Sequence, residues 1–231
     1  MDTSPPEARE GRPVLPQTLP YHIFDEMRWA IIRGDYPAGS CLREQDVQAR
    51  FGSSRGPIRE SFRLLELRGL VVHSPRRGFR VTSYSQRGLE DLYRLRATVE
   101  ASVYESMTGC DTTELVPVLE ACVRRMAKHF QANRTEQFLE QVIAFLNAVV
   151  EASGNRPARR IIGLLNDMSL PARYALHKRR SGMRRAVDFH KKVVRLIKAD
   201  NWSRVAEMQR DGILESADML KSVVEFVDPA D

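Results

Sequence analysis

The run L-R-E-Q-D-V-Q-A-R-F-G-S-S-R-G-P-I-R-E-S-F-R-L-L-E-L-R-G-L, residues 42–70, divides at its first glycine. Before Gly52, Val47 and Phe51 stand four apart and give a short helix from Glu44 to Phe51 one apolar face. Gly52 permits the backbone of a tight turn, and Ser54 is placed to cap a longer helix whose first turn tolerates Pro57. That helix continues through Ile58, Phe62, Leu65 and Leu67 to Gly69. Arg55 and Arg59 fall four apart on one face at its N-terminal end, where free amides and the helix dipole favour phosphate. The spacing predicts a helix-turn-helix of the kind that reads DNA. Arg63 and Arg68 lie further along, away from that leading end, and are expected in solvent or in ion pairs within the protein.

Upstream, Tyr21, Phe24, Met27, Ile31 and Ile32 recur at helical spacing, which predicts a first helix from Tyr21 to Arg33, ended by Gly34. The segment G-D-Y-P-A-G-S, residues 34–40, is dense in turn residues. Downstream, L-V-V-H-S-P-R-R-G-F-R-V-T, residues 70–82, has two β-rich runs flanking a Pro/Arg/Gly turn, a hairpin pattern with arginine at its tip. Three helices followed by a hairpin is the order of a winged helix-turn-helix. From Leu42 to Arg80 nine arginines and no lysine face four acids. Charge placed for solubility alone is more often mixed with lysine, whereas the guanidinium fork matches phosphate and guanine edges.

Beyond Tyr84 the strand pattern stops. Apolar residues at Leu92, Leu95, Val99 and Val103 predict a helix over 89–107, with Arg96 and Glu100 paired at i, i+4. Asp111-x-x-Glu114 reads as a capping box opening a helix to about Phe130. Phe138 to Ala152 forms the next, ended by Ser153-Gly154-Asn155, and Pro157 opens another reaching His177. A cationic loop, H-K-R-R-S-G-M-R-R, is expected before a helix from about Arg185 to Ala199, and Asp200-Asn201 before a last helix to about Val227. The fold class is mainly α: a winged helix-turn-helix followed by an all-α bundle of six or seven helices. The expected boundaries are a disordered tail over 1–16, a DNA-binding domain over 17–83, a connector over 84–88 and a helical domain over 89–227.

Composition excludes several classes. At 231 residues with 42% hydrophobic and 29% charged, the sequence is that of a globular protein, and no apolar run approaches the roughly 18 residues of a membrane span. The N-terminus has no apolar core of a secretory signal, so a cytoplasmic location is expected. Cys41, Cys110 and Cys122 are widely spaced with no C-x-x-C pair, which predicts free thiols. No Ser/His/Asp or Cys/His constellation and no phosphate loop supports an enzyme.

Residues 43–71 with P-R-R-G-F-R-V after them, and I-I-R-G-D-Y-P-A-G-S-C-L before them, closely resemble the winged helix of GntR-family bacterial transcription regulators. The helical remainder resembles the FCD effector domain of the FadR-like subfamily, so the resemblance covers nearly the whole chain after residue 16. It implies that Ser54, Arg55, Gly56 and Arg59 enter the major groove. Arg77 and Gly78 approach the minor groove from the wing, and Arg43 and Gln45 contact the backbone. Gly56 departs from the family, which commonly has Thr there. The resemblance also implies a homodimer on a pseudo-palindromic operator, acting as a repressor, and a small carboxylate-bearing effector.

FCD domains commonly hold a divalent metal on an Asp, a His four residues later and two further His. Those positions fall here on Val142, Leu146, His190 and about Asp211 or Gly212, so only one imidazole remains and no metal or other cofactor is expected. Arg96, Val142, Leu146, His190 and Asp211 are the candidate effector residues. Arg96 faces either an anionic ligand or Glu100, and His190 is either an effector hydrogen-bonding group or a core histidine with a satisfied partner. The alternative is a regulator without an effector, its pocket closed by Val142 and Leu146. The cationic stretch Lys178, Arg179, Arg180, Arg184 and Arg185 is open to DNA, to an anionic ligand or simply to solvent.

Overall fold

The computed structural model describes residues 18–74, 76, 78–224 and 226; the expected tail over 1–16, Arg77 of the wing and Val227 lie outside them. Helix α1 (Leu19–Arg33) leads through strand β1 (Cys41–Leu42) to α2 (Glu44–Phe51) and α3 (Arg55–Leu67), and the hairpin β2 (Val71–Ser74) and β3 (Gly78–Val81) follows. Among the described residues six helices follow: α4 (Gln86–Glu105), α5 (Leu115–Gln131), α6 (Thr135–Ala152), α7 (Arg156–His177), α8 (Arg180–Lys198) and α9 (Trp202–Leu220).

The wing is a three-stranded antiparallel sheet of order β1-β3-β2, with Leu42 opposite Phe79 and Val72 opposite Arg80. Strand β1 is absent from the sequence reading, because two residues carry no periodicity. Arg80 reinforces the pairing by donating from Nη1 to the Gly39 carbonyl at 3.1 Å. The core beneath is built from Ile23, Met27 and Ile31 of α1, Val47 of α2, and Ile58, Phe62 and Leu65 of α3. Each such buried side chain contributes roughly 1.5–3 kcal/mol. Phe62 also meets Phe79 edge to face at 5.2 Å, which ties the wing to the reading helix.

The helical bundle has two apolar centres. One joins α5, α6, α8 and the ends of α4 and α9 around Met107, Leu119, Phe138, Phe145 and Trp202. The other lies where α4, α7 and α9 meet, around Leu89, Tyr93, Leu165, Leu176 and Leu220. Side chains hold several helix starts: Ser85 accepts from the Gly88 amide, Asn155 from Ala158 and Asn201 from Arg204.

Four local expectations need correction. The Ser54 backbone stands at the start of α3, but its hydroxyl caps no amide. Asp111 opens no capping box; its carboxylate accepts from the amide and hydroxyl of Thr113, and α5 begins at Leu115. Pro117 explains the shift, because a helix begun at Asp111 would need an N–H that proline lacks, whereas one begun at Leu115 has Pro117 in its first turn. The cationic loop is mostly helix: α8 starts at Arg180, leaving only Lys178 and Arg179 between α7 and α8. The last helix ends at Leu220. In addition, α4 begins at Gln86, within the stretch expected as a connector.

The two halves meet through α7. The Asp167 carboxylate, 8% exposed, accepts from Arg28 Nε and Nη2 of α1 at 3.1 and 2.8 Å and from Arg68 Nη1 at the end of α3 at 3.0 Å. Arg33 reaches Glu136 of α6 at 3.2 Å, and Ile32 packs with Leu139 and Leu170. The pairing expected for Arg68 is thus present.

Candidate DNA interface and effector cavity

The apolar stripe of α3 faces the core, so its opposite face points outward. Arg43, Gln45, Ser54, Arg55, Gly56, Arg59 and Gly78 are all exposed. Arg55 occupies the first position of α3, where amides lack intrahelical acceptors. Gly52 sets the sharp turn, with φ of 58°. Arg59 donates from Nε to Glu44 Oε1 at 2.9 Å, across the turn from α2. The sequence reading missed Glu44 because the contact spans the turn. This exposed pair contributes at most about 1 kcal/mol, so phosphate or a base edge displaces Glu44 readily.

Inside the bundle, α4, α6, α7, α8 and α9 enclose a cavity of about 630 Å³. Of the expected effector residues, Arg96, Val142, Leu146, His190 and Asp211 all line it, with Asp211 exposed. Val142 and Leu146 form part of the wall and leave that space open.

Arg96 is buried and donates from Nε and Nη2 to Glu100 Oε1 at 3.1 and 2.7 Å, with its guanidinium over the Tyr93 ring. Gln209 donates to the other Glu100 oxygen at 2.7 Å. Burial opposes the Arg96 charge, but Glu100 and Tyr93 outweigh it and raise the pKa. Arg96 is therefore paired with Glu100, and it also lines the cavity.

Arg173 of α7 is the residue that sequence reasoning passed over. It is buried, donates to Asn166 Oδ1 at 2.9 Å, and has no carboxylate within ion-pair distance among the described residues. Desolvation, with Arg96 nearby, lowers its pKa from 12.5 to about 10, so it stays charged near neutrality. Arg96 pairs with Glu100, whereas Arg173, whose charge Glu100 also favours from further off, has no ion-pair partner among the described residues.

Two histidines stand beside it. His190 Nδ1 lies 2.7 Å from the Ala186 carbonyl, which can only accept, so Nδ1 carries the proton and Nε2 is an acceptor. Its ring packs edge to face on Phe145 at 4.8 Å. Burial, with Arg173 nearby and despite the Ala186 hydrogen bond, lowers its pKa to about 4. His177, four residues after Arg173, is lowered to about 3 by burial and then by Arg173, and its Nδ1 is buried without a partner among the described residues. An Arg-x-x-x-His spacing at the end of α7 was the available signal for these residues.

This lining does not fit the divalent metal of FCD domains. Two expected ligand positions are the aliphatic Val142 and Leu146, and among the described residues no three His, Cys, Asp or Glu side chains form a metal-holding group. Cys110 is an exposed free thiol and Cys122 a buried one. No helix among the described residues is long and apolar enough to cross a membrane.

Comparisons with known proteins agree with this architecture. The FCD domain matches residues 91–212, and the gntR family of bacterial regulatory proteins matches residues 20–81. The chain is 28% identical over 158 residues to the HTH-type transcriptional regulator YdhC of Bacillus subtilis (strain 168), covering 67% of this chain and 70% of that one. It is 24% identical over 178 residues to the gluconate operon transcriptional repressor of the same organism, covering 75% and 73%. Against the repressor GlaR of Escherichia coli (strain K12) it is 26% identical over 208 residues, 83% of this chain and 92% of that one. Among solved structures, a GntR transcriptional regulator from Rhodococcus sp. RHA1 superposes with a TM-score of 0.75 at 17% identity, covering 90% of this chain and all 100% of that one. E. coli McbR/YncC gives 0.75 at 16% identity over 89% and 98%. With an FCD domain over more than half its length and the family's winged helix before it, the chain belongs to the gntR family of bacterial regulatory proteins.

Proposed function

We propose that this regulator is a repressor that binds its operator as a homodimer and releases it in response to a small carboxylate held directly on Arg173, without a metal. The observation that carries the effector reading is a buried guanidinium with no carboxylate partner in the wall of a cavity. A buried cation without a counter-ion is costly, and a bidentate carboxylate relieves that cost with two charge-assisted hydrogen bonds. The neutral His190 Nε2 accepts from a ligand hydroxyl, and His177 Nδ1 supplies a further polar contact. A hydroxy-carboxylate satisfies all three. Gluconate, in the name of one relative, belongs to that chemical class.

Coupling to DNA runs through α7. Asn166 holds Arg173, and the next residue, Asp167, clasps Arg28 and Arg68 of the winged helix. A ligand that draws Arg173 toward the cavity therefore acts on the helix that positions the reading head. On DNA, Arg55 and Arg59 read base edges and Arg43 and Gln45 meet phosphate. Arg77 and Gly78 reach the minor groove from the wing. Dimerisation sets two α3 helices on neighbouring half-sites, because a single winged helix reads too few base pairs.

Operator-shift assays test the DNA half. Arg55→Ala and Arg59→Ala each weaken specific binding by about 1–3 kcal/mol, roughly 5- to 160-fold, and relax sequence preference. Undiminished specific binding in both variants removes the assignment of α3 as the reading helix.

A further inference from the structure

A second cavity, of about 530 Å³, lies where the winged helix meets the bundle. One helix walls both cavities: Arg173, Leu176 and His177 of α7 face the central one, while Met168, Pro171, Ala172 and Ala175 line the second. The remaining wall comes from both halves of the chain, including Ile31 and Leu70 on one side and Leu89, Val224 and Phe226 on the other. The lining is thus mostly aliphatic, and the halves approach closely beside it. A Cβ on Gly69, whose φ is 69°, would stand 2.7 Å from Met168 Cγ.

Among the polar residues of this wall, Tyr84, Lys178 and Arg179 stand out. Tyr84 lines the cavity, and its hydroxyl is buried with no hydrogen-bond partner among the described residues. Such a donor is costly to bury unmet. Lys178 and Arg179, between α7 and α8, line the same cavity and are exposed; among the described residues no carboxylate lies within ion-pair distance of either. Among the described residues of the lining the one further cation, Arg33, is paired with Asp35 and Glu136. Arg179 donates only weakly, to the Ser222 carbonyl at 3.4 Å.

We infer that this junction cavity is a second ligand site, for an amphipathic organic anion with an apolar body, an acceptor for the Tyr84 hydroxyl and an acidic head on Lys178 and Arg179. The volume is in the range that holds a drug-sized ligand. The chemistry differs from that of the central cavity, where a buried cation and two neutral histidines select a small polar acid. Because the wall is shared, a ligand here touches the winged helix and the bundle at once and biases their relative placement. This site stands on its own residues and does not depend on what the central cavity binds.

Titration of the full-length protein with 8-anilinonaphthalene-1-sulfonate, an aromatic body with one anionic group, tests the inference. The expected result is saturable fluorescence enhancement with one probe per chain. Ala175→Phe, which fills the cavity from a half-buried position, weakens binding at least about tenfold. Lys178→Glu, at an exposed position that leaves folding intact, weakens it several-fold, and Arg173→Met in the central cavity leaves it unchanged. If Ala175→Phe fails to fold, Lys178→Glu and Arg173→Met decide. Absence of saturable binding, binding indifferent to Ala175→Phe and Lys178→Glu, or binding lost in Arg173→Met overturns the site.

Discussion

Replacing Asp167 with asparagine keeps the shape of the clasp and removes its charge. In the wild type the carboxylate accepts three hydrogen bonds, two from Arg28 and one from Arg68, at 2.8 to 3.1 Å. Breaking a fully buried pair costs about 3–5 kcal/mol, because a charge is left without its partner. Here the carboxylate is 8% exposed, but Arg28 is 19% and Arg68 52% exposed, so water recovers part of the loss. We expect Asp167→Asn to destabilise by about 2–3 kcal/mol, with most of that in the Arg28 contact. For a chain of this size that corresponds to a fall of roughly 4–12 °C in Tm. Calorimetry reads the size of the effect and also its form. The lost contacts join the two halves, so a single transition in the wild type separates toward two in the variant. Arg28→Met should cost more than Arg68→Met, and a double-mutant cycle of Arg28→Met with Asp167→Asn should return a coupling of about 1 kcal/mol or more. A Tm within about 1 °C of wild type, or a coupling near zero, would refute the assignment of Asp167 as the tie between the halves.

Other consequences are as definite. A Cβ at Gly56 meets nothing within 4 Å, and Gly56 is the second residue of α3, where the helix-interior penalty of glycine is felt only in part, so Gly56→Ala raises stability by about 0.3–0.5 kcal/mol in urea denaturation; a loss would contradict the open face drawn for α3. Burial depresses the folded pKa of His190 from 6.5 to about 4, so the folded state favours the neutral ring. Its contribution is complete above pH 6.5 and lost as pH falls toward 4, at most about 3 kcal/mol. Urea midpoints measured across that window should fall less steeply for His190→Gln than for the wild type, and parallel curves would show that His190 is not the group responsible.

Much of the winged helix was legible because local pattern and tertiary role coincide there. Val47, Ile58, Phe62 and Leu65 mark buried faces by their spacing, and Gly52 marks the turn between them. The ends of α2 were read to the residue, and α3 closely. Strand β1 was not legible, because its two residues become a strand only by pairing with Arg80 and Phe79. The start of α8 was misread because Ser181-Gly182 resembles a break, although both residues sit in a first turn where helices tolerate them. The cavity shows the same division. Val142, Leu146 and His190 were found by resemblance and do line it. Arg173 and Asp167 were not found: the Arg-x-x-x-His spacing marks only a shared helix face, and tertiary contacts alone decide that Arg173 lacks a carboxylate and that Asp167 holds two arginines from the far end of the chain.

Ligand binding by chelator-treated protein tests the central claim most directly. Thermal-shift screening of small hydroxy-carboxylates, run side by side on the metal-free wild type and on Arg173→Met, reads whether Arg173 alone holds the acid. At a hundred times its Kd a ligand adds about 2.7 kcal/mol, roughly 5 °C or more in Tm. The account predicts that at least one carboxylate stabilises the metal-free wild type by that order and that none stabilises Arg173→Met, which remains folded. Stabilisation that appears only after a divalent metal is added, or that persists in Arg173→Met, would contradict it.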